Sequence, residues 1–130
     1  KVDILKLSDE DLLWLFNENT DESSALSELR AIANAELLIL TRGSKGSSIW
    51  HNDKWYAAPA YPVDKLSDTV GAGDTFMASV LVWLTKNENM KRLGVLELKE
   101  KQDLQYYAGK AASLNCKKQG CNPPWENELL

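Results

Sequence analysis

The stretch Asp68-Thr69-Val70-Gly71-Ala72-Gly73-Asp74-Thr75-Phe76 holds two glycines, an alanine and two carboxylates six positions apart. Phe76, Met77, Val80, Leu81 and Leu84 follow at helical spacing, so a loop of small residues opens straight into an amphipathic helix. The first N–H groups of a helix have no internal acceptor and sit at the positive end of its dipole, where an anion is stabilised. Gly71, Ala72 and Gly73 put no bulk between that backbone and an incoming phosphate. A carboxylate at position 74 repels a phosphate, unless its task is to take a proton from the group that attacks it. Phosphoryl transfer to an alcohol needs such a base, and fixed donors aimed at the transferring group. On residue types alone the stretch has a second reading, a tight turn at a helix start. It is not a Walker A loop, since no Lys follows the glycines, nor a G-x-G-x-x-G dinucleotide loop, since position 76 is Phe.

The elements around this stretch alternate between strand and helix. Residues 2–5 are expected to form a short strand. Ser8, with Asp11 three positions on, predicts a capped helix carrying Leu12, Leu13, Leu15 and Phe16. A polar loop over 17–21 leads to a second helix over about 22–34. Leu37-Leu38-Ile39-Leu40 is a continuous apolar run, expected as a strand of a parallel sheet buried on both faces. Thr41-Arg42-Gly43-Ser44-Lys45-Gly46 stands at its carboxyl end, where open α/β sheets bind ligands. Residues 47–50 and 54–58 read as a hairpin around His51-Asn52-Asp53. Pro59 and Pro62 keep the following segment extended, and it delivers the chain to Asp68. Beyond a helix over about 72–85, residues 90–99 are either a short helix or a packed loop. A long helix is expected over about 101–118, with Gly120 as its terminator and Pro123-Pro124 stopping further helix.

Composition narrows the classes. The chain has 130 residues, a formal net charge of -4 and a pI near 5.0. That is one modest domain or part of a larger one. Mild acidity argues against nucleic acid or an anionic membrane as the main partner. No apolar run approaches the roughly 20 residues that cross a bilayer, and no signal-peptide pattern opens the chain. The chain starts without Met and almost inside a strand-like segment, so part of a longer protein is expected. Cys116, Cys121 and the single His51 do not make a zinc set. They are read as free thiols and a lone imidazole of a cytoplasmic protein, with a local disulfide across a turn as the second reading of the cysteines.

Nine consecutive positions, Asp68 to Phe76, resemble the C-terminal signature of the ribokinase-like (pfkB-type) carbohydrate kinases, and the surroundings look most like fructokinases. Lys6-Leu7-Ser8-Asp9-Glu10-Asp11 resembles the segment with the family's Asn-x-x-Glu element, with Ser8 for Asn and Asp11 for Glu. Leu40 to Gly46 resembles its nucleotide-side Thr-x-Gly-x-x-Gly turn. The likeness implies a three-layer α/β/α ribokinase-like sandwich, of which residues 1–130 would be the C-terminal nucleotide and catalytic portion, with a mostly parallel sheet and no lid. It implies ATP-dependent phosphorylation of a sugar hydroxyl, fructose to fructose 6-phosphate, using Mg²⁺ and K⁺. Asp74 matches the base, and Gly71, Ala72 and Gly73 match the anion hole. Thr41, Gly43 and Gly46 match positions beside ATP. Asp68 and the carbonyls of Val70, Asn115, Lys118 and Gly120 match the monovalent-cation site. Asp11 matches the acid that organises Mg²⁺ through water, although as a helix cap it has a second reading. Gly109 stands where many relatives place Asn by the adenine.

In that family the sugar and its lid belong mainly to the N-terminal part, so these residues alone are expected to be inactive. Alternatives stay open: another acceptor such as ribose, a nucleoside or 2-keto-3-deoxygluconate, a non-catalytic nucleotide-binding module, and a homodimer of the intact protein.

Overall fold

The run Leu37–Thr41 sets the architecture, because its side chains point alternately to two different cores. In the computed structural model, which describes residues 2–17 and 19–130, Leu37 and Ile39 face one hydrophobic cluster and Leu38 and Leu40 face another. The elements in order are β1 (Ile4–Ser8), α1 (Asp9–Phe16), α2 (Glu22–Ala33), β2 (Leu37–Thr41), β3 (Ser47–His51), β4 (Lys54–Ala58), α3 (Ala72–Lys86), α4 (Leu98–Cys116) and α5 (Glu126–Leu129). Sheet order is β1-β2-β3-β4. On one face Leu7, Leu38 and Leu40 pack with Leu12 of α1 and Ala25, Leu26 and Leu29 of α2. On the other, Leu37, Ile39 and Ile49 pack with Phe76, Val80, Trp83 and Leu84 of α3 and Leu104 and Ala108 of α4. Two helical layers therefore sandwich one sheet, the expected α/β/α arrangement.

Within these residues the sheet is mixed. β1 and β2 are parallel, with Ile4 opposite Leu37, while β2·β3 and β3·β4 are antiparallel. Asn52 and Asp53 both have positive φ (47° and 60°), the conformation of a two-residue hairpin loop that matches strand twist. Because that loop needs only two residues, His51 belongs to β3.

Other boundaries also moved, for local reasons. β1 starts two residues later than expected and runs to Ser8, which is at once the last strand residue and the cap of α1. Ser8 Oγ accepts from Asp11 N–H at 3.0 Å, and Asp11 Oδ2 accepts from Ser8 N–H at 2.8 Å, a closed capping box. The loop expected over 17–21 includes Glu18, which lies outside the described residues. α2 is capped by Asp21 and ends at Asn34, in the left-handed region at φ 47°. Residues 89–91 and 93–95 form two short 3₁₀ turns. α4 begins at Leu98, because Glu97 and Glu100 form its cap, and it ends at Cys116. Gly120 is thus not its terminator. It has φ +70° and turns the segment beyond the helix. Pro123-Pro124 does not end helical structure either: α5 follows it, with Lys86 paired to Glu126. Both cysteines are free thiols, Cys116 buried and Cys121 exposed. Among the described residues no helix is long and apolar enough to cross a membrane.

One polar group lies deep in the sandwich. His51 is fully buried, with Nε2 2.7 Å from Leu93 O and Nδ1 3.2 Å from Lys101 Nζ. Lys101 also donates to Leu96 O at 2.8 Å and stands over the Tyr56 ring. A lysine can only donate, so Nδ1 is the acceptor and Nε2 carries the proton. Burial holds the imidazole pKa below its ordinary 6.5, and the Lys101 ammonium adds to this against the opposing pull of the Leu93 carbonyl. Above pH 6.5 His51 is neutral in both folded and unfolded chains. As pH falls through 6.5, the unfolded chain binds a proton that the folded chain refuses, so stability falls. His51 is the only histidine. Stability measured by urea denaturation is therefore expected to decline between pH 7 and 5.5, with a slope of at most about 1.4 kcal/mol per pH unit. His51→Gln is expected to flatten that slope, and an unchanged slope would contradict the assignment.

Candidate active site

The loop ahead of α3 is held from below by α4. Ser67 and Asp68 N–H both donate to Cys116 O, at 2.8 and 3.2 Å. Asp68 then ties two loops together: its Oδ1 accepts from Val70 N–H at 3.0 Å and its Oδ2 from Gly120 N–H at 2.9 Å. These two donors hold its carboxyl below the usual carboxylate range, so it is an anion at neutral pH. Asn115, fully buried, donates from Nδ2 to Val70 O at 2.8 Å and accepts Asn122 N–H at 2.9 Å. Four of the five residues expected at the cation site are thus gathered by hydrogen bonds linking positions 68, 70, 115 and 120. The fifth, Lys118, adjoins them through its N–H on Asn115 O, while its side chain turns to Glu128.

Above this support the chain enters α3 through Gly71, in the left-handed region at φ 75° and without a side-chain cap. Gly71 is required there twice. Its φ suits glycine, and a Cβ would strike the Cys121 side chain. Ala72 N–H is taken by Thr69 O and Thr75 N–H by Gly71 O. Among the described residues the N–H groups of Gly73 and Asp74 make no hydrogen bond, and neither does the exposed Asp74 carboxylate. One turn of helix therefore presents two unengaged donors and one unengaged base. Asp74 borders a groove of ≈ 390 Å³ between α3 and the segment after α4, with Tyr107, Cys121 and Pro124 among its lining residues.

Thr41, Gly43 and Gly46 lie elsewhere. Residues Gly43–Lys45 form a 3₁₀ turn closed by Arg42 N–H on Gly46 O at 2.8 Å. Gly46 is pressed against the backbone of Ala58, Pro59 and Ala60. Those residues form one wall of a larger cavity, ≈ 910 Å³, whose other wall is α4 at Gln105, Tyr106 and Gly109. Its extended wall is fastened to α4 by Ser113 Oγ donating to Tyr61 O, and the strands leading into it by Gln105 Nε2 donating to Ser47 O and Tyr56 O. Gln105 Oε1 is buried and, among the described residues, without a hydrogen-bond partner. No hydrogen bond or ion pair links Thr41, Gly43 or Gly46 to residues 68–74 among the described residues. Arg42 forks onto Glu22 at 2.7 and 3.2 Å and donates to Ser48 at 2.7 Å, so its guanidinium is already used. Asp11 serves α1 as a cap through Oδ2, and its pKa is lowered chiefly by the Ser8 N–H; among the described residues Oδ1 makes no hydrogen bond or ion pair.

Sequence reasoning missed three features: the cavity wall at 57–63, Gln105, and Lys6. The side chain of Lys6 runs from β1 to Gly73. Its signal was an inward-facing position of a strand, hidden while the strand was taken to end at residue 5.

A three-layer sandwich with its loop-to-helix site beside the sheet is the ribokinase-like fold. The ribokinase of Arabidopsis thaliana, solved with ribose and ATP, matches 98% of this chain at TM-score 0.76 and 25% identity, with 39% of that chain covered. Residues 1–128 match the pfkB family of carbohydrate kinases, and the chain belongs to that family. Among curated relatives, a sugar kinase of Pyrococcus horikoshii is 33% identical over 129 residues, 98% of this chain and 35% of that protein. A fructokinase of Rhizobium leguminosarum is 36% identical over 100 residues, 77% of this chain and 30% of that protein. The chain spans about a third of the length of these relatives.

Proposed function

We infer that these residues form the nucleotide-binding and catalytic portion of a kinase that moves the γ-phosphoryl group of ATP to a sugar hydroxyl, with fructose as the acceptor. The observation that carries the reading is the first turn of α3, where an unengaged Asp74 carboxylate stands beside the unengaged N–H groups of Gly73 and Asp74. Asp74 takes the proton of the attacking hydroxyl. The N–H groups stabilise charge on the phosphoryl oxygens, a role worth about 10²–10³ in rate for a single fixed donor. The cavity between residues 57–63 and α4 suits the base and ribose of the nucleotide. Gly109 there has nothing within 4 Å of a Cβ position, which leaves room for a flat ring. That several relatives carry the name fructokinase supports fructose, over other acceptors, in this reading.

The donor sets fit the two cations. Asp68 is an ionised carboxylate, and the residues tied to it, Val70 and Gly120 with Asn115 beside Val70, would offer carbonyl oxygens, hard donors suited to a monovalent cation such as K⁺. The described residues hold no cluster of three or more acidic, His or Cys ligands. Mg²⁺ is usually held by one or two carboxylates, water and the nucleotide phosphates; Asp11 Oδ1 would be the protein's contribution. Both ions would supply positive charge against the phosphates.

The test offers ATP with fructose, ribose, a nucleoside or 2-keto-3-deoxygluconate and measures ADP and sugar phosphate together. Fructose is expected to give the highest kcat/KM. Faster transfer to another acceptor would replace fructose, and ATP binding with no transfer to any of them would make this a nucleotide-binding module instead.

A further inference from the structure

Lys6 ends where a cation has no ordinary reason to be. Along β1, Leu5 and Leu7 pack towards α1 and α2, while Ile4 packs towards α3 and α4. Alternation puts Lys6 on the face of Ile4, two residues nearer the carboxyl end of the strand. The side chain is half-buried, and Nζ lies 2.8 Å from where a Cβ on Gly73 would stand. Among the described residues Lys6 makes no ion pair and no hydrogen bond. The carboxylate that feels its charge is Asp11, which is already bound to Ser8 N–H. Other cations around these loops are engaged, Arg42 with Glu22, Lys117 with Asp64 and Lys118 with Glu128.

The start of α3 is itself positive, through its dipole and the unengaged N–H groups of Gly73 and Asp74. A long side chain held so that its ammonium converges on that point meets repulsion, unless an anion stands between them. Gly73 belongs to the same arrangement, because a Cβ there would push Nζ away.

We propose that Lys6 is a catalytic residue whose ammonium contacts the phosphoryl group in transfer, completing an anion site with the N–H groups of Gly73 and Asp74. This rests on the reading of residues 71–74 as a phosphoryl-transfer site. In the step, the sugar O–H proton passes to Asp74 and the sugar oxygen bonds to the γ-phosphorus. The bond from that phosphorus to the β–γ bridging oxygen breaks, and ADP leaves with the electron pair. Lys6 transfers no proton. It offsets negative charge on the γ-phosphoryl oxygens and on the bridging oxygen, where charge grows towards the transition state.

The experiment uses Lys6→Met, Lys6→Gln and Lys6→Arg in the full-length protein. It measures kcat and KM for sugar phosphorylation, and binding of Mg-ATP and Mg-ADP by calorimetry. Lys6→Met is expected to lower kcat about 10²–10³-fold with the sugar KM unchanged. It should weaken ATP more than ADP, and Lys6→Arg should recover part of the rate. Should Lys6→Met fail to fold, Lys6→Gln, polar and uncharged, is expected to show the same losses. Sugar phosphorylation by wild type and by the uncharged variants at equal rates, with the ATP-over-ADP preference kept, overturns the role of Lys6 and leaves the kinase reading standing. Conversely, a Lys6-dependent preference for ATP in a protein that phosphorylates no sugar keeps the contact and removes the kinase reading.

Discussion

Asp74→Asn is expected to slow sugar phosphorylation by at least about 100-fold while the protein stays folded and still binds ATP. The substitution keeps the shape of the side chain and removes only its ability to accept a proton at neutral pH. Asp74 is exposed and, among the described residues, holds no hydrogen bond or ion pair, so no structural contact is lost with it. What the helix loses is a negative charge in its first turn, worth about 0.3–1 kcal/mol at an exposed site. Denaturation midpoints should therefore move little. The loss should fall on kcat with the sugar KM nearly constant, because the proton is taken only as the hydroxyl attacks. ATP affinity is expected to hold or rise, since a carboxylate beside the γ-phosphate is repulsive. Steady-state rates and calorimetry on the same preparation separate these effects. A variant that keeps more than a tenth of the wild-type kcat would mean that another group, or water, takes the proton.

Local chemistry was the legible part of this molecule. The Ser8–Asp11 capping box, the apolar run of β2 and the small-residue entry to α3 each rest on neighbours in sequence, and each stands where expected. The rest of the site depends on distant partners. Asp68 meets Gly120 across 52 positions, a grouping that only the family resemblance had joined, because no periodicity links a turn aspartate to a glycine that also looked like a helix terminator. β1 was cut short because Lys6 and Ser8 are polar. Polar residues at a strand end break the apolar pattern by which a strand is read. The larger cavity was invisible for another reason. Its extended wall has no regular pattern, and it acquires a shape only when Gly46, Gln105 and Ser113 hold it.

That dependence makes Gly46→Ala the most damaging single-methyl change expected in the chain. Gly46 has φ +93° and ψ -149°, a region essentially reserved for glycine. A Cβ there would run into Ala58 O and stand 2.8 Å from Ala60 N and Pro59 C, all backbone atoms that no rotamer change can move aside. Conformational strain of about 1–3 kcal/mol and overpacking of a similar size add to about 2–6 kcal/mol. Gly43, in the same turn, is the internal comparison. It also has positive φ (+52°), but nothing lies within 4 Å of its Cβ position, so Gly43→Ala should cost only about 1 kcal/mol. The two variants differ in what the methyl group touches, and urea midpoints measured side by side read that difference. The functional consequence follows from the same contacts. Ala58, Pro59 and Ala60 line the larger cavity, so relief of the clash must displace a wall that the nucleotide is proposed to use. A displacement costing 1.4 kcal/mol of binding weakens ATP about tenfold. Gly46→Ala protein that remains folded is expected to bind ATP at least that much more weakly, with Gly43→Ala close to wild type. If Gly46→Ala is destabilised but binds ATP normally, the nucleotide lies elsewhere and the cavity beside α4 has another use.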